Sequence, residues 1–410
     1  MCRDCNHVCS HRCRGPFASD SIHKRKIFAK GRGEKGMKST DVLVIGGGAI
    51  GCSIAYQLAK RGQQVTLIEK DSIASHASGV AGGMLGAQVE YEEYSPIVDF
   101  SLASRGMFPQ LKEELYSLTG MDIQLKPAGM LRIALTEEEK QILLKQEDWQ
   151  RKMGLQAQWL STEEVRQVEP LLTDEILGAL SLPDDTQVYS PALTQALASA
   201  AVKLGATIYE QCEAIDIQRI GDQITGVVTN TGILTAQNYV LATGAWSRKW
   251  ERVLDTHLPI TPVKGEGFFT LTLPQPVEKT IYSHGCYLIP KGGNKLFVGA
   301  TTKEEGFDER PKIDGLLELF SKATRILPAL NSVPFEQALA SFRPITDDLY
   351  PYLGKVTHIP NMILSCGHGR NGILQSPITG QLIAQLICGE TLDLSLEPFA
   401  EGRNASSPAI

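Results

Sequence analysis

Asp41-Val42-Leu43-Val44-Ile45 runs directly into Gly46-Gly47-Gly48-Ala49-Ile50-Gly51. The first five residues are a short β-branched apolar run, the mark of a strand buried on both faces of a parallel sheet. The next six fit the spacing G-x-G-x-x-G. From Ser53 to Arg61 apolar residues recur at helical period, with Ile54, Ala55, Leu58 and Ala59 on one face, and Gly62 stops the helix. Gln64 to Ile68 reads as a second strand closing on Glu69, which lies 18 residues past Gly51. An acid near that offset bonds a ribose hydroxyl. A lone glycine pattern is weak, because glycine-rich turns are common. Here strand, turn, helix, second strand and acid follow in order, which makes the stretch a dinucleotide site. Gly46 permits the tight turn, Gly48 lets backbone approach a pyrophosphate, and Gly51 lets helix and strand pack closely. The helix N-terminus offers N–H groups and partial positive charge to the phosphates. Glu69 argues for an unphosphorylated adenosine ribose, hence FAD or NAD rather than NADP.

Working outward, Ser72 to Leu85 is a loop of small residues where an NAD enzyme would normally continue into a helix. It reads either as backbone lying along an extended cofactor or as a flexible surface loop. Two further glycine turns follow strands much later. Tyr239 to Leu241 leads into Ala242-Thr243-Gly244-Ala245-Trp246-Ser247. Met362 to Ser365 leads into Cys366-Gly367-His368-Gly369-Arg370-Asn371-Gly372-Ile373-Leu374, with a helix expected from about Pro377 to Ile387. A cofactor held by both ends of one chain is the architecture of the amine-oxidising flavoproteins.

The chain has 410 residues, 42% hydrophobic and 21% charged, which is ordinary globular usage. Its length points to two or three units of roughly 150 residues. The net charge of -6, from 40 Lys+Arg against 46 Asp+Glu, speaks against a nucleic-acid binder, which would carry a basic face. No apolar run reaches the roughly 18 residues of a membrane span, and the N-terminus lacks the apolar stretch of a secretory signal. Cys52, Cys212, Cys286, Cys366 and Cys388 are scattered singly. They read as reduced, packed thiols of a cytoplasmic protein. Cys2, Cys5, Cys9 and Cys13, with His7 and His11, have zinc-ligand spacing but almost no apolar residues to pack around a metal. Residues 1–37 therefore read as a disordered extension with no metal. Arg32-Gly33-Glu34-Lys35-Gly36 has the purine-rich codons of a translated ribosome-binding site, so native translation is expected to start at Met37.

These motifs, with Ala81–Ala87 (AGGMLGA), Pro262–Glu266 (PVKGE), Cys286–Pro290 (CYLIP), Val298–Thr301 (VGAT), Phe342–Asp348 (FRPITDD) and Gly367–Ile373 (GHGRNGI), give the chain a resemblance to the D-amino acid oxidase family of FAD enzymes. Within it the chain is most similar to the glycine oxidase branch, which serves thiamine thiazole synthesis. The resemblance runs from about Thr40 to about Phe399. It implies FAD contacts at Ala49, Ile50, Glu69, Lys70, Ala77, Ser78, Gly82, Gly83, Met84, Ala214 and the turn His368, Gly369, Arg370, Asn371, Gly372, Ile373, Leu374. It implies substrate contacts at Arg343, Tyr287 and Arg370, a homo-oligomer (a tetramer), and O₂ as a reaction partner. The attachment cysteine of related sarcosine oxidases falls near Arg343 and is missing here, so FAD is expected to be non-covalent. Two pocket positions depart from the branch. Gly285 stands where a His can occur, and Thr302 stands where a bulky Met borders the pocket.

The chemistry asks little of side chains beyond positioning, and no general base is expected. The fixed handle of an amino acid is its carboxylate, which a guanidinium answers with a planar fork that a lysine lacks. Arg343 precedes Pro344, which restricts it to extended backbone, and follows the apolar run Ala338–Phe342. It serves either a substrate carboxylate or an ion pair with Asp347 or Asp348. Tyr287 is either a substrate contact or half-buried packing with a wet hydroxyl. Arg370 either folds over a ligand or is exposed. Backbone N–H groups at the following helix N-terminus are suited to the flavin's electron-rich edge.

The fold class is therefore α/β (α+β), a Rossmann-like FAD domain interleaved with an antiparallel-sheet substrate domain. Segments 38–120, 190–258 and 340–400 are assigned to the first, 121–189 and 259–339 to the second, and 401–410 to a tail. The expected activity is FAD-dependent oxidation of glycine, small amines or D-amino acids. The alternatives are a quinone-linked dehydrogenase or a sarcosine-oxidase-like demethylase of the same fold, and a non-enzymatic flavin-binding factor.

Overall fold

The computed structural model describes residues 40–403. The cysteine cluster, the expected start at Met37 and the last residues of the tail lie outside them. Six strands form the sheet that the opening motif predicts. In spatial order they are Tyr352–Val356, Ile359–Cys366, Ala236–Leu241, Thr40–Ile45, Val65–Ile68 and Thr207–Tyr209. All neighbours are parallel except the first two, which form an antiparallel hairpin. Ile45 sits opposite Leu241 and Leu241 opposite Leu364. The three glycine turns thus leave the carboxyl ends of adjacent strands, where open α/β sheets bind ligands.

Both faces of this sheet are covered, which explains the unbroken apolar run Val42–Ile45. On one face the helices Ala49–Lys60, Pro96–Thr119, Ser190–Lys203 and Gly372–Cys388 bury Val42, Val44, Ile54, Leu58, Leu197 and Ile383. On the other, a three-stranded antiparallel sheet over 214–234 brings Ile217, Ile224 and Val227 against Leu43, Tyr239 and Leu241.

The last of those helices begins at Gly372, five residues before the sequence-based expectation. Proline is favoured in the first turn of a helix, but here Gly372 to Gln375 make that turn. Pro377 instead lies inside the helix. It cannot donate to the carbonyl of Ile373, and Ser376 Oγ donates to that carbonyl instead, at 2.9 Å. The loop expected over 72–85 holds a short helix, Ala77–Val80, and a two-residue strand, Met84–Leu85.

The second sheet has eight strands in the order Phe335–Thr346, Ile260–Thr270, Lys295–Gly299, Cys286–Lys291, Thr280–Ser283, Met130–Ala134, Gly178–Leu182, Gln158–Leu160. It is antiparallel apart from one parallel pair, Thr280–Ser283 with Met130–Ala134. The amphipathic helix Ile313–Ile326 covers it, packing Leu319, Ala323 and Ile326 against Phe268, Leu288 and Val298. A capping box opens the helix Thr162–Val168, with Glu164 N–H donating to Ser161 Oγ. Among the described residues no helix is long and apolar enough to cross a membrane.

Candidate active site

One cavity of about 1620 Å³ runs between the two sheets, from the Gly46 turn to Arg343. At one end, the Gly46–Gly51 turn is packed so tightly that side chains are excluded. A Cβ on Gly46 would meet the Ala242 carbonyl oxygen at 2.3 Å, and one on Gly51 would meet the Gly46 oxygen at 1.9 Å. Gly48 by contrast faces only Ser78 Oγ, at 3.2 Å, and its backbone lies open to the cavity. Ser78 Oγ also accepts from the Ala49 N–H at 2.9 Å. The Ala74 N–H donates to the Gly47 oxygen at 3.2 Å, so the small-residue loop is bound to the glycine turn rather than free. Glu69 is buried at the strand end, accepting from the backbone N–H of Gly47 at 2.7 Å and of Asp71 at 2.9 Å.

Of the residues implicated by sequence, nearly all line this cavity: Gly46, Gly48, Ala49, Ile50, Glu69, Lys70, Ala77, Ser78, Gly82, Gly83, Met84, Ala214, the turn from His368 to Ile373, Tyr287, Thr302 and Arg343. Gly51 and Leu374 stand behind the wall, Gly51 in the strand–helix contact and Leu374 in the core. Two helix N-termini, at Ala49 and Gly372, open onto the cavity, and neither has an acidic residue in its first turn. Their dipoles and the N–H groups facing the cavity suit anionic and electron-rich groups.

At the other end, Arg343 projects from the Phe335–Thr346 strand. Its Nη1 donates to the Thr301 carbonyl at 2.9 Å, and among the described residues no carboxylate lies within ion-pair distance of it. The ion-pair alternative fails because Asp348 is engaged by Arg403, at 2.6 and 2.9 Å, while Asp347 is exposed. Tyr287 lies across from Tyr282 on paired strands, their rings stacked with centroids 6.4 Å apart. Burial raises the pKa of the Tyr287 hydroxyl above its usual value, with the Arg343 charge pulling the other way. It therefore remains a proton donor at neutral pH.

Arg370 is paired with Glu90, Nη2 to Oε2 at 2.5 Å, and its Nη1 donates to the Tyr282 hydroxyl at 3.3 Å. Glu90 chiefly, and the tyrosines less, push the Arg370 pKa further up. Its charge is thus permanent but locally balanced. His368 is buried against Thr379, Nε2 to Oγ1 3.1 Å, and burial lowers its pKa to about 3. It is neutral at physiological pH and stands as a neighbour rather than a cation. Cys366 borders the cavity with its pKa pushed up to about 12 by burial, so it is a protonated, poor nucleophile.

Sequence reasoning did not find Glu90, Tyr282 or Arg132, which also line the cavity. Glu90 is carried on a loop pinned by Asp185, whose carboxylate accepts from the N–H groups of Gln88 and Val89. The local signal was AGGMLGA, which continues through Gln88 and Val89 to Glu90. Nothing nearby marked that acid as different from the exposed Glu92 and Glu93.

A cavity that joins a Rossmann turn, two helix N-termini and an unpaired arginine suits a dinucleotide at one end and a small anion at the other. The DAO family, described as FAD dependent oxidoreductase, matches residues 41–386. The chain belongs to this family. It is 38% identical over 373 residues to a glycine oxidase of Geobacillus kaustophilus, covering 90% of this chain and 98% of that protein. The crystal structure of glycine oxidase from the same species matches with a TM-score of 0.87, covering 90% of this chain and 100% of that one. A bifunctional protein ThiO/ThiG of Nostoc is 34% identical over 370 residues, which span 89% of this chain and 55% of that longer protein. The site of this DAO-family oxidoreductase fits FAD on its own geometry. The glycine turn leaves a backbone cradle that a side chain at Gly46 or Gly51 would destroy. Glu69 presents a buried carboxylate beside it, and the second helix N-terminus lies further along the same cavity.

Proposed function

We propose that the chain oxidises glycine, and with it small N-alkyl glycines and D-amino acids, to the 2-oxo acid. Overall, glycine, O₂ and water give glyoxylate, ammonia and hydrogen peroxide. The observation that carries this reading is Arg343, a half-buried guanidinium with one backbone acceptor and, among the described residues, no counter-charge, set in the same cavity as the dinucleotide cradle. A buried charge without a partner is costly, and an anionic ligand supplies the partner. Bound FAD supplies the acceptor for the two electrons of the substrate's α C–H bond. Arg343 holds the carboxylate with its free N–H groups, and Tyr287 donates its hydroxyl hydrogen to the same group. Arg370, neutralised by Glu90, borders the pocket without competing for that anion. His368, uncharged and hydrogen-bonded through Nε2 to Thr379, is assigned no role as a base.

The glycine oxidase and ThiO/ThiG relatives support a place in thiamine thiazole synthesis. We extend the reading to a cytoplasmic homo-oligomer with non-covalent FAD, in keeping with five free cysteines among the described residues, four of them buried. Purified protein is expected to be yellow and to release hydrogen peroxide with glycine in air. Bleaching by glycine without peroxide would assign it to the dehydrogenases, and a flavin that glycine never bleaches would defeat the oxidative reading.

Glu69 is assigned to the adenosine ribose, far along the cavity from Arg343. Glu69→Ala is expected to weaken FAD binding by roughly tenfold or more, since hydrogen bonds to charged groups contribute about 1.5–3 kcal/mol. Turnover of the flavin-saturated enzyme should stay close to the parent value. Flavin titration of the apoprotein reads the first quantity, and full retention of FAD through dilution would contradict the assignment.

Gly285 and Thr302 both border the cavity. With a small side chain at 302 the pocket has room for one or two extra carbons, each buried methylene contributing about 0.8 kcal/mol. Thr302→Met is expected to lower the ratio of D-alanine to glycine specificity constants. A ratio that does not move would mean that position 302 does not shape the pocket.

A further inference from the structure

Glu266 is fully buried on the Ile260–Thr270 strand, and the reaction described above gives it no task. It follows Gly265, over which the Arg343 guanidinium lies so closely that a Cβ there would meet Nη2 at 2.5 Å. The Glu266 carboxylate makes two hydrogen bonds. Oε2 accepts from Thr301 Oγ1 at 3.1 Å, and Oε1 accepts from the Lys312 N–H at 2.6 Å, where the Ile313–Ile326 helix begins. Lys264 and Lys303 balance its charge, at 3.6 and 3.9 Å. Gly315 makes room for it, since a Cβ there would fall 1.6 Å from Oε2.

The consequence falls on Thr301. Its hydroxyl donates to the Glu266 carboxylate and accepts from the Glu266 N–H at 3.0 Å, and its own N–H donates to the Glu266 carbonyl at 3.3 Å. One residue therefore holds three of the polar contacts of Thr301. The polar group left over is the Thr301 carbonyl, which takes Arg343 Nη1.

We propose that Glu266 is the positioning residue for Arg343. It locks Thr301 so that the Thr301 carbonyl occupies one arm of the guanidinium and the remaining donors face the substrate carboxylate. A long side chain in an open cavity has many rotamers to lose on binding. An acceptor fixed by a buried carboxylate removes that freedom before the substrate arrives. The inference rests on the reading of Arg343 as the carboxylate anchor.

The test is a double-mutant cycle on the flavin-loaded enzyme, with acetate as the probe and flavin absorbance as the readout. Glu266→Gln keeps the shape but replaces one acceptor oxygen with a donor, and Thr301→Val removes the hydroxyl. Each is expected to weaken acetate and raise the Michaelis constant for glycine by about threefold to thirtyfold, within the range of couplings between contacting groups. FAD content and kcat should change much less. In an Arg343→Lys background the further loss from either substitution should vanish, because there is no longer a fork to aim. Losses that simply add in both backgrounds, or that fall on FAD content and kcat instead, would overturn the positioning role. If Glu266→Gln does not accumulate as folded protein, the same cycle with Thr301→Val decides. Acetate affinity unaffected by Arg343→Lys alone would overturn the anchor reading, and this inference with it.

Discussion

Arg343→Lys is expected to retain FAD and to lose glycine affinity by about tenfold to over a hundredfold, the equivalent of one charge-assisted hydrogen bond of roughly 1.5–3 kcal/mol. The lysine keeps the positive charge, so long-range attraction of the anion survives. What is lost is the fork. One arm of Arg343 is committed to the Thr301 carbonyl at 2.9 Å, and the others remain for the carboxylate. A lysine ammonium has a single nitrogen and cannot serve the carbonyl and the carboxylate in the same geometry. Steady-state kinetics with glycine, alongside the flavin content of the same sample, separates the effects. An unchanged Michaelis constant would move the carboxylate site elsewhere, with the Arg370–Glu90 pair as the next place to look.

Gly51→Ala should abolish flavin binding, although intrinsic propensity argues the other way. Glycine inside a helix is less favourable than alanine by about 0.8–1 kcal/mol, and Gly51 lies within Ala49–Lys60. Against this, the added Cβ would sit 1.9 Å from the Gly46 carbonyl oxygen and 3.1 Å from its carbon. These are backbone atoms that no rotamer change can move aside. Overpacking costs about 1–3 kcal/mol and occasionally more, and here relief comes only by separating the turn from the helix. That displacement would pull apart the backbone that faces the pyrophosphate. The purified variant should be colourless, and added FAD should no longer raise its melting temperature as binding to the native state alone would. A yellow Gly51→Ala protein with full flavin content would show that the turn yields more easily than its packing implies.

The cofactor end of the site was legible in the sequence because its information is local. Strand, glycine turn, helix and acid lie within Asp41–Glu69, and each has a conformational reason for its place. The substrate end was legible only in part. Arg343 stood out because a charge beside an apolar run before Pro344 needs a partner, but its actual contact, Thr301, arrives through a strand order that local patterns do not encode. Glu90 was invisible for the same reason. It is one acid among three in Glu90–Glu93, and only the pinning of its loop by Asp185 sets it against Arg370. The start of the final helix was misplaced because Pro377 sits inside the helix rather than in its first turn, with the neighbouring Ser376 hydroxyl supplying the donor that proline lacks.

The strand order of the cofactor sheet also bears on how the protein is made. Thr40–Ile45 is translated early and gains Val65–Ile68 soon afterwards, but its other neighbour, Ala236–Leu241, and the flanking Ile359–Cys366 emerge far later. At about 5–20 residues per second, the interval between the first and last of these strands is on the order of 15–60 s. Throughout it a central strand has one open edge, and the helix carrying the glycine turn lacks its packing partner Gly372–Cys388. The flavin site is therefore completed only when the late strands and the Gly372–Cys388 helix have joined the early ones. Until then the half-built sheet presents an unpaired edge, the feature through which strands of separate chains associate.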